Sequence, residues 1–301
     1  MTKLAYHNPV LLTETVAGLA INPKGVYVDV TFGGGGHSRE ILKHLDEDGR
    51  LFAFDQDKDA WKNALDDSRF TLIGENFRYI NRFLRFHGVK QVDGVLADLG
   101  VSSHQFDKAE RGFSTRFDAA LDMRMNQSDT LTAHNVVNKY SEEQLSSVLF
   151  QYGELRASRQ IASAIIQYRT DKTIDTSLQL REAIARFLPK GREHKVMAQI
   201  FQAIRIEVNQ EMEALKEFLL QMPKLIKPAG RLSVISYHSL EDRLVKRFIR
   251  NGMFEGEPER DMFGNFEVPF KKVGKLIIPS KAEISINNRA RSAKLRIAAK
   301  L

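Results

Sequence analysis

The chain has no cysteine, only one tryptophan, and no apolar run approaching the roughly 18 residues that a spanning helix requires. The lack of cysteine excludes a disulfide framework and any thiolate metal site. The amino-terminal residues also lack the charged start and unbroken apolar stretch of an export signal. We therefore expect a soluble, cytoplasmic protein with no membrane partner and no metal.

The length and composition suggest more than one lobe. A chain of 301 residues is long for one compact domain, and its hydrophobic content of 43% is ample for a core. The simplest expectation is one large domain that carries an insertion. The sequence leaves the oligomeric state open.

Acidic residues are scarce at the carboxyl end. Residues 270–301 contain nine Lys or Arg and the single acid Glu283, whereas the preceding residues hold 36 basic and 37 acidic side chains. Apolar residues are threaded through this basic segment at 276–278 and 295–297, which indicates strands with basic flanks rather than a solvated tail. A concentrated basic surface favours a polyphosphate partner through counterion release, so we expect binding to nucleic acid.

Residues 26–38 carry the strongest local signal. A β-branched segment over 26–32 predicts a strand, four glycines follow at 33–36, and a helix start comes next. A second predicted strand, 51–54, ends at the acid Asp55. Glycine lets the backbone turn sharply and approach a ligand, and an acid at that distance can bind both hydroxyls of a ribose. This pattern predicts a nucleotide site.

Strands and helices alternate in the first third of the chain. Further strands are predicted at 70–73 and 92–97, and the helices between strands begin at Ser38, carry Trp61 and Leu65, or carry Ile80, Phe83 and Leu84. Such alternation predicts a parallel, doubly wound sheet with its ligands beyond the carboxyl ends of the strands. That edge would collect the following residues: Gly33 to Gly36, Asp55, Asn76, Phe77 and Asp98.

The alternation stops after residue 106. Only helix signals follow until 220, among them capping boxes at Ser141 and Thr176. The sheet is expected to resume at 230–236 after a turn at 228–230, followed by a helix capped by Ser239, a loop over 251–269, and an antiparallel edge pair of strands at 276–278 and 294–298. We therefore predict a sheet domain formed by 1–106 and 221–301, with a helical insert at 107–220.

The residues around the turn favour one nucleotide over another. A dehydrogenase fingerprint has a third glycine where this chain has Ser38, and it does not explain Asp29 within the first strand. An acid four residues before the turn suits S-adenosylmethionine, which offers a cationic amino acid and no pyrophosphate. A methyl donor is therefore favoured over NAD.

The chain closely resembles the ribosomal RNA small subunit methyltransferase H family over nearly its whole length. The resemblance rests on eight strings in order: His7-Asn-Pro-Val-Leu11, Asp29 to Ser38, Asp98-Leu-Gly-Val-Ser-Ser103, Arg111-Gly-Phe-Ser114, Leu121-Asp-Met-Arg-Met125, Phe201-Gln-Ala-Ile-Arg-Ile206 with Val208-Asn209, Ser236-Tyr-His-Ser-Leu-Glu-Asp-Arg243, and Asn288-Arg-Ala-Arg-Ser292.

The resemblance implies a Rossmann-like class I methyltransferase fold with an inserted helical domain that recognises RNA. It also implies S-adenosylmethionine as cofactor and methylation of the exocyclic N4 of a decoding-site cytidine in 16S rRNA, within the small ribosomal subunit. The residues it implies as cofactor contacts are Gly35, Gly36, His37, Asp55, Phe77, Asp98 and Gln105, and Gly33 of the glycine turn is predicted to join them.

The reaction is an in-line transfer, so alignment is the main task of the enzyme and no metal is needed. Asp98 is the candidate catalytic residue, and it could serve the substrate amine, the cofactor amine or both. The reacting base must leave its stack, so a splayed nucleotide of folded RNA is expected as substrate. Candidate RNA contacts are Arg111, Arg124, Arg205, His238, Arg243, Arg289 and Arg291, with Tyr237 beside the target base.

Three other readings compete. A DNA amino-methyltransferase predicts an Asp or Asn, two prolines and an aromatic after the fourth strand, but this chain has Asp98-Leu-Gly-Val. A nicotinamide oxidoreductase would bind NAD instead of a methyl donor. A non-catalytic RNA-binding assembly factor would bind ribosomal RNA without methylating it.

Overall fold

The computed structural model describes residues 9–260, 262–263 and 266–301, and it divides into two compact units. The sheet unit comprises the described residues up to Gly100 together with Met212–Leu301, and the helical unit comprises Val101–Glu211. These divisions fall six and nine residues earlier than the predicted 106 and 220. The second shift arises because most of one long helix, Glu211–Leu225, packs with the sheet.

The described residues of the sheet unit form a seven-stranded sheet in the order β3-β2-β1-β4-β5-β7-β6. Strands β1 to β5 are parallel, and β7 runs antiparallel to both β5 and β6. The strands span β1 Val26–Asp29, β2 Arg50–Phe54, β3 Phe70–Ile73, β4 Val92–Asp98, β5 Ile226–Ser236, β6 Phe270–Ile277 and β7 Lys294–Lys300. This confirms the predicted doubly wound α/β fold.

Helices cover both faces of the sheet. Their bounds are α1 Leu12–Gly18, α2 Gly36–Lys43, α3 Ile80–Phe86, α10 Glu211–Leu225, α11 Ser239–Asn251 and α12 Lys281–Ile286. Side chains alternate along β1 between two apolar layers. Tyr27 belongs to a cluster with residues of α1 and α2, and Val28 to a cluster with residues of α3, α10 and α11. Because the strands are buried on both faces, their sequences are nearly continuous apolar runs.

The strand order places a crevice at β1 and β4. From β1 the chain progresses outward to β2 and β3, and β4 lies on the other side of β1. In open parallel sheets ligands bind where the order reverses, beyond the carboxyl ends of the strands. The glycine turn follows β1 and Asp98 ends β4, so both lie at this switch point.

Three local predictions were wrong. Helix α2 begins at Gly36 and not at Ser38, whose buried hydroxyl bonds to Asp29 instead of capping the helix. Trp61 lies in a short 3₁₀ helix, Ala60–Asn63, where an α-helix was expected. Helix α11 is capped by His238 in place of Ser239, because the imidazole accepts from the backbone N–H of Glu241.

The prediction of an antiparallel strand pair near the carboxyl end is confirmed, and the predicted turn before it is not where it was expected. The predicted antiparallel pair is present as β6 and β7, although only β6 lies at the edge because β7 pairs with β5 on its other side. The predicted turn at 228–230 lies inside β5, where its register with β4 shifts. Of the predicted loop over 251–269, residues 261, 264 and 265 lie outside the described residues.

The helical unit has its own apolar core. Its helices span α4 Ser103–Asp107, α5 Ala133–Lys139, α6 Glu142–Gln151, α7 Ser158–Asp171, α8 Ser177–Ala183 and α9 Glu193–Asn209. Ile161, Ile200 and Ile204 are among its buried residues. The predicted capping boxes at Ser141 and Thr176 are confirmed, each closed by a glutamine three residues later. Within the described parts of the chain, no helix is long and apolar enough to cross a membrane.

Candidate active site

The turn after β1 can be built only with glycine at several positions. Gly33 and Gly35 have positive φ values of 50° and 74°, a region that side-chain-bearing residues rarely adopt. At Gly36 an added Cβ would lie 2.1 Å from Cγ of Pro9. The backbone of this turn is therefore held in a conformation that leaves its surface open beside Gly33, where an added Cβ would meet only the Thr31 carbonyl oxygen at 4.0 Å.

Asp55 lies directly after β2 and faces the glycine turn. Its carboxylate accepts hydrogen bonds from the backbone N–H of Gly33 at 2.7 Å and of Asp57 at 2.8 Å. Burial raises the pKa of Asp55 to about 7, and the negative charges of Asp57 and Asp29 act in the same direction. The carboxyl group is therefore poised to gain or lose a proton near neutral pH.

Asp29 ends β1 and is fully buried. One carboxylate oxygen accepts from the Ser38 hydroxyl at 2.7 Å and the other from the Thr31 backbone N–H at 3.1 Å. Burial raises the pKa of Asp29, although the charge of His37 and these hydrogen bonds oppose the rise. Asp29 therefore ties β1 to α2 and adds negative charge beneath the turn.

Asp98 ends β4 at the same edge. Its backbone N–H donates to Oγ1 of Thr31 at 2.6 Å, and its Oδ1 accepts from the Tyr237 hydroxyl at 2.8 Å. Its Oδ2 lies 3.8 Å from Nδ1 of His37. Burial raises the pKa of Asp98 to about 6, with the charges of Asp29 and Glu241 adding to the rise and His37 and Tyr237 opposing it. Asp98 is thus held in one orientation from two sides.

The remaining cofactor candidates differ in their surroundings. His37 is buried in α2, with Nε2 3.2 Å from the carbonyl oxygen of Val10. Phe77 is partly buried and its ring lies edge-on to Phe218, with centroids 5.3 Å apart. Gln105 belongs to the helical unit, where its side chain accepts from the Ser102 N–H in a capping box. Their contacts with the cofactor remain predictions.

One electrostatic property unites this edge of the sheet. Among the described residues, none of the carboxylates of Asp29, Asp55 and Asp98 has a lysine or arginine partner; they are met by backbone N–H groups, hydroxyls and the imidazole of His37. We refer to these three carboxylates as the acidic rim. Such a group of acids, one buried and two partly buried, suits a cationic ligand with hydroxyls and repels a pyrophosphate.

The single tryptophan of the chain lies next to this rim. Trp61 Nε1 donates to the carbonyl oxygen of Asp55 at 2.9 Å, and Nδ2 of Asn63 donates to the carbonyl oxygen of Gly33 at 3.0 Å. The 3₁₀ helix that carries both residues therefore fixes the two segments that the ribose would contact. Trp61 is 37% exposed and can report ligand binding through its fluorescence.

Three of the arginines predicted to contact RNA make contacts inside the helical unit. Arg111 is only 2% exposed and donates to the carbonyl oxygens of Arg124 and Met125. Arg124 forms a bidentate pair with Asp122, and Arg205 forms one with Glu211. The structure gives these side chains a role in holding the helical unit together, and any role toward RNA remains a prediction.

The other candidate RNA contacts belong to the sheet unit. The side chain of His238 is only 9% exposed and caps α11. Arg243 is exposed on α11, while Arg289 and Arg291 lie in a 3₁₀ helix, Asn288–Ser292, with Arg291 exposed. The arginines of this set therefore present charge at the surface, and the histidine does not.

Two hydrogen bonds to Asp98 were not predicted from the sequence, although Tyr237 was expected beside the target base. The hydroxyl of Tyr237 and that of Thr31 both bind Asp98, one at its carboxylate and one at its backbone. Thr31 belongs to the glycine-turn motif, so its proximity could have been noticed. The tyrosine is 139 residues away from Asp98 in the chain, and only the adjacency of β4 and β5 brings the two together.

Comparison with known proteins shows the family to which the chain belongs. A family model described as MraW methylase family matches residues 4–301. Curated relatives named Ribosomal RNA small subunit methyltransferase H are 65% identical over 100% of both chains in Christiangramia forsetii, and 66% identical over 100% of this chain and 99% of the relative in Flavobacterium johnsoniae. The relative from Bacteroides thetaiotaomicron is 56% identical, with 99% and 98% covered.

The acidic rim and the glycine turn fit S-adenosylmethionine, a cationic nucleoside without phosphates, and this is the methyl donor that the protein uses. The sheet topology, the rim and the match over nearly the whole length lead to the same assignment: the chain belongs to the MraW methylase family.

Proposed function

We propose that the protein is a cytoplasmic enzyme that methylates the exocyclic N4 of a decoding-site cytidine in 16S rRNA, within the small ribosomal subunit. The relatives' names support ribosomal RNA of the small subunit as the substrate. The basic carboxyl-terminal segment, with nine Lys or Arg against one acid over 270–301, supports a nucleic acid partner. The cytidine N4 comes from the resemblance stated above.

The observation that carries the proposal is the environment of the Asp98 carboxylate. Its carboxylate is partly buried, with 22% of the side chain exposed, is oriented by Tyr237, and has no lysine or arginine partner among the described residues. A carboxylate of this kind can accept hydrogen bonds from an amino group that enters the crevice. Two amino groups qualify, the ammonium of the methyl donor and N4 of the cytosine.

When bound, S-adenosylmethionine supplies a methyl group on a positively charged sulfur, and its transfer to N4 leaves a neutral sulfur while the nitrogen loses one proton. The residues of the chain provide alignment. Asp55 is placed to hold the ribose hydroxyls, and the turn at Gly33 to Gly36 allows close approach of the backbone. Asp98 is placed to orient an amine, because acceptors near N4 localise its lone pair on nitrogen.

We further propose that the helical unit recognises the folded RNA around the target nucleotide. The unit has a compact apolar core of its own, and the buried Arg111 bonds within it, which allows it to act as a preformed binding module. The cytidine must be splayed out of its stack, since N4 cannot reach a crevice at the edge of a sheet while the base is paired.

The test is a mass-spectrometric map of methylated nucleotides in 16S rRNA from a deletion strain, complemented with either the wild-type gene or Asp98→Asn. We expect one decoding-site cytidine to lose a methyl group on deletion and to regain it only with the wild-type gene. A purely non-catalytic assembly factor would leave the methylation map unchanged, and a different base or atom would refute the N4 assignment.

The two roles of Asp98 can be separated with purified Asp98→Asn. Donor affinity is read from Trp61 fluorescence, and turnover is measured at saturating donor. Weakened affinity with turnover restored at saturation indicates a role toward the donor's ammonium. Retained affinity with lost turnover indicates a role toward the cytosine amine.

A further inference from the structure

The exposed face of α11 carries charge of one sign. The exposed positions of this helix are Ser239, Arg243, Lys246 and Arg250, which recur at intervals of three or four residues and therefore share one face. We call Arg243, Lys246 and Arg250 the α11 stripe. No acid lies at an exposed position of this helix.

The two acids of α11 are turned away from that face. Glu241 is buried and accepts from the backbone N–H groups of Tyr237 and His238. Asp242 is paired with Arg296 at 2.7 Å and Lys294 at 3.3 Å, both on β7. Both acids of α11 are thus engaged in holding the helix to the sheet.

The helix dipole does not account for the stripe. A cation near the carboxyl end of a helix is stabilised by the dipole, which suffices for Arg250 in the last turn. Arg243 lies in the second turn and Lys246 near the middle of the helix, where the dipole offers no such gain. Their common face therefore calls for another explanation.

The position of the helix supplies one. Helix α11 follows β5 by two residues, and one of these, Tyr237, donates to Asp98. The stripe therefore begins near the acidic rim and leads away from it. At 1.5 Å per residue, Arg243 and Arg250 are separated by roughly 10 Å along the axis, which matches about three nucleotides of a stacked strand.

We propose that the α11 stripe binds the sugar–phosphate backbone of the single-stranded RNA next to the target nucleotide. The inference rests on the proposed function, because it takes RNA as the substrate. The stripe places cations opposite phosphates without reading bases, so it contributes affinity and alignment and no sequence preference.

The test compares two triple variants of the full-length protein. The stripe variant carries Arg243→Gln, Lys246→Gln and Arg250→Gln. The control carries Lys24→Gln, Lys90→Gln and Lys224→Gln, three exposed lysines that each lie two residues before β1, β4 or β5, at the opposite edge of the sheet. Glutamine keeps helix propensity close to that of the residues it replaces.

Binding is measured by fluorescence anisotropy with a labelled RNA fragment that contains the decoding-site cytidine, over a series of KCl concentrations. We expect the stripe variant to bind 10- to 100-fold more weakly at moderate salt. Its slope of log affinity against log salt should be shallower by about 2, since each phosphate contact on a single strand contributes about 0.7. The control should lose less than about threefold.

Two results would overturn the inference: equal losses in both variants, which would indicate a diffuse charge effect, or an unchanged salt slope in the stripe variant. The titration of Trp61 fluorescence with S-adenosylmethionine serves as the folding control for both variants. Because anisotropy needs no turnover, the outcome stays separate from the proposed reaction, which wild-type methylation of the same fragment tests on its own.

Discussion

The carboxylates of the acidic rim and that of Asp122 in the helical unit differ in their partners, and their pKa values shift in opposite directions. At the rim, Asp29 is buried and Asp55 and Asp98 are partly buried, none has a lysine or arginine partner among the described residues, and the pKa of each is raised. In the helical unit, Asp122 also suffers a burial penalty, yet the hydrogen bonds and charge of Arg124 outweigh it and the pKa of Asp122 is lowered.

This difference distinguishes carboxylates that can bind a ligand from carboxylates that stabilise the fold. A carboxylate with a bidentate arginine has its charge compensated within the fold and offers little to a ligand. Buried acids without such a partner destabilise the fold when they are ionised, and a cationic ligand relieves that cost. The negative charge of the rim is therefore compensated by a bound cation rather than by a lysine or arginine of the described part of the fold.

The largest effect is expected for Asp98→Asn. The amide oxygen can still accept from Tyr237, but the charge is lost, so we expect methylation to fall at least about 100-fold. The same change should stabilise the protein without cofactor at pH 8, by roughly 1–3 kcal/mol, because a shift of one pKa unit corresponds to about 1.4 kcal/mol. Denaturant unfolding at pH 8 and at pH 4 measures the gain.

The sign of that gain follows from linkage. The folded-state pKa of Asp98, about 6, lies above the ordinary value of 3.8, so the native state holds the proton more tightly. Stability from this group is present below pH 4 and is lost as the pH rises through 6. The stabilisation by Asp98→Asn should therefore vanish at pH 4, and a variant less stable than wild type at pH 8 would contradict the account of the rim.

The matched change in the helical unit should act in the opposite direction. Asp122→Asn leaves the partly buried Arg124 without its carboxylate, so we expect a loss of about 1–3 kcal/mol. Donor affinity measured by Trp61 fluorescence should not change. Asp48→Asn, which breaks an exposed pair with Lys24, is the control and should cost less than about 1 kcal/mol. Equal losses in the two variants would remove the distinction between buried and surface pairs.

A smaller effect is expected from pH alone. As the pH falls through 7 and then 6, Asp55 and Asp98 take up protons and the rim loses charge. We expect donor affinity to weaken about tenfold between pH 8 and pH 5.5 and binding at pH 6 to release protons. Calorimetry in two buffers with different ionisation enthalpies measures that release, and proton uptake on binding would contradict it.

The sequence predicted the sheet and the position of the rim because both follow from local patterns. Alternating strands and helices imply parallel pairing, and parallel strands bring Gly33, Asp55 and Asp98 to one edge whatever the details of packing. Helix starts were less accurate. Ser38 and Ser239 both have the residue type of a helix cap. The hydroxyl of Ser38 bonds to Asp29 instead, and the imidazole of His238 caps the helix in place of Ser239; spacing alone does not show either contact.

The arginines illustrate the same limit. Arg111, Arg124 and Arg205 read as basic residues available to RNA, yet each makes hydrogen bonds within the helical unit. Arginine serves equally well for binding phosphate and for bidentate pairing with a carboxylate. Which of the two applies depends on residues such as Asp122 and Glu211, and on the fold that brings them within reach.

The smallest effect is expected for Tyr237→Phe, which removes one hydroxyl from the rim. The bond from Tyr237 lowers the pKa of Asp98, so its loss should raise that pKa further and move the acid limb of the rate–pH profile toward neutral pH. We expect a three- to tenfold fall in turnover at pH 6.5 that shrinks at pH 8.5. A loss that is the same at every pH would indicate packing damage instead.

Tyr140→Phe provides the matched control. The Tyr140 hydroxyl donates to Oε1 of Glu207 at 2.7 Å, the same type of bond as Tyr237 makes, but it lies in the helical unit. Its removal should cost about 1 kcal/mol of stability and leave the rate–pH profile in place. If both variants moved the rate–pH profile, the bond from the Tyr237 hydroxyl to Asp98 would have no special role. The rim carboxylates would then not differ from those of the helical unit in how hydrogen bonds control their pKa.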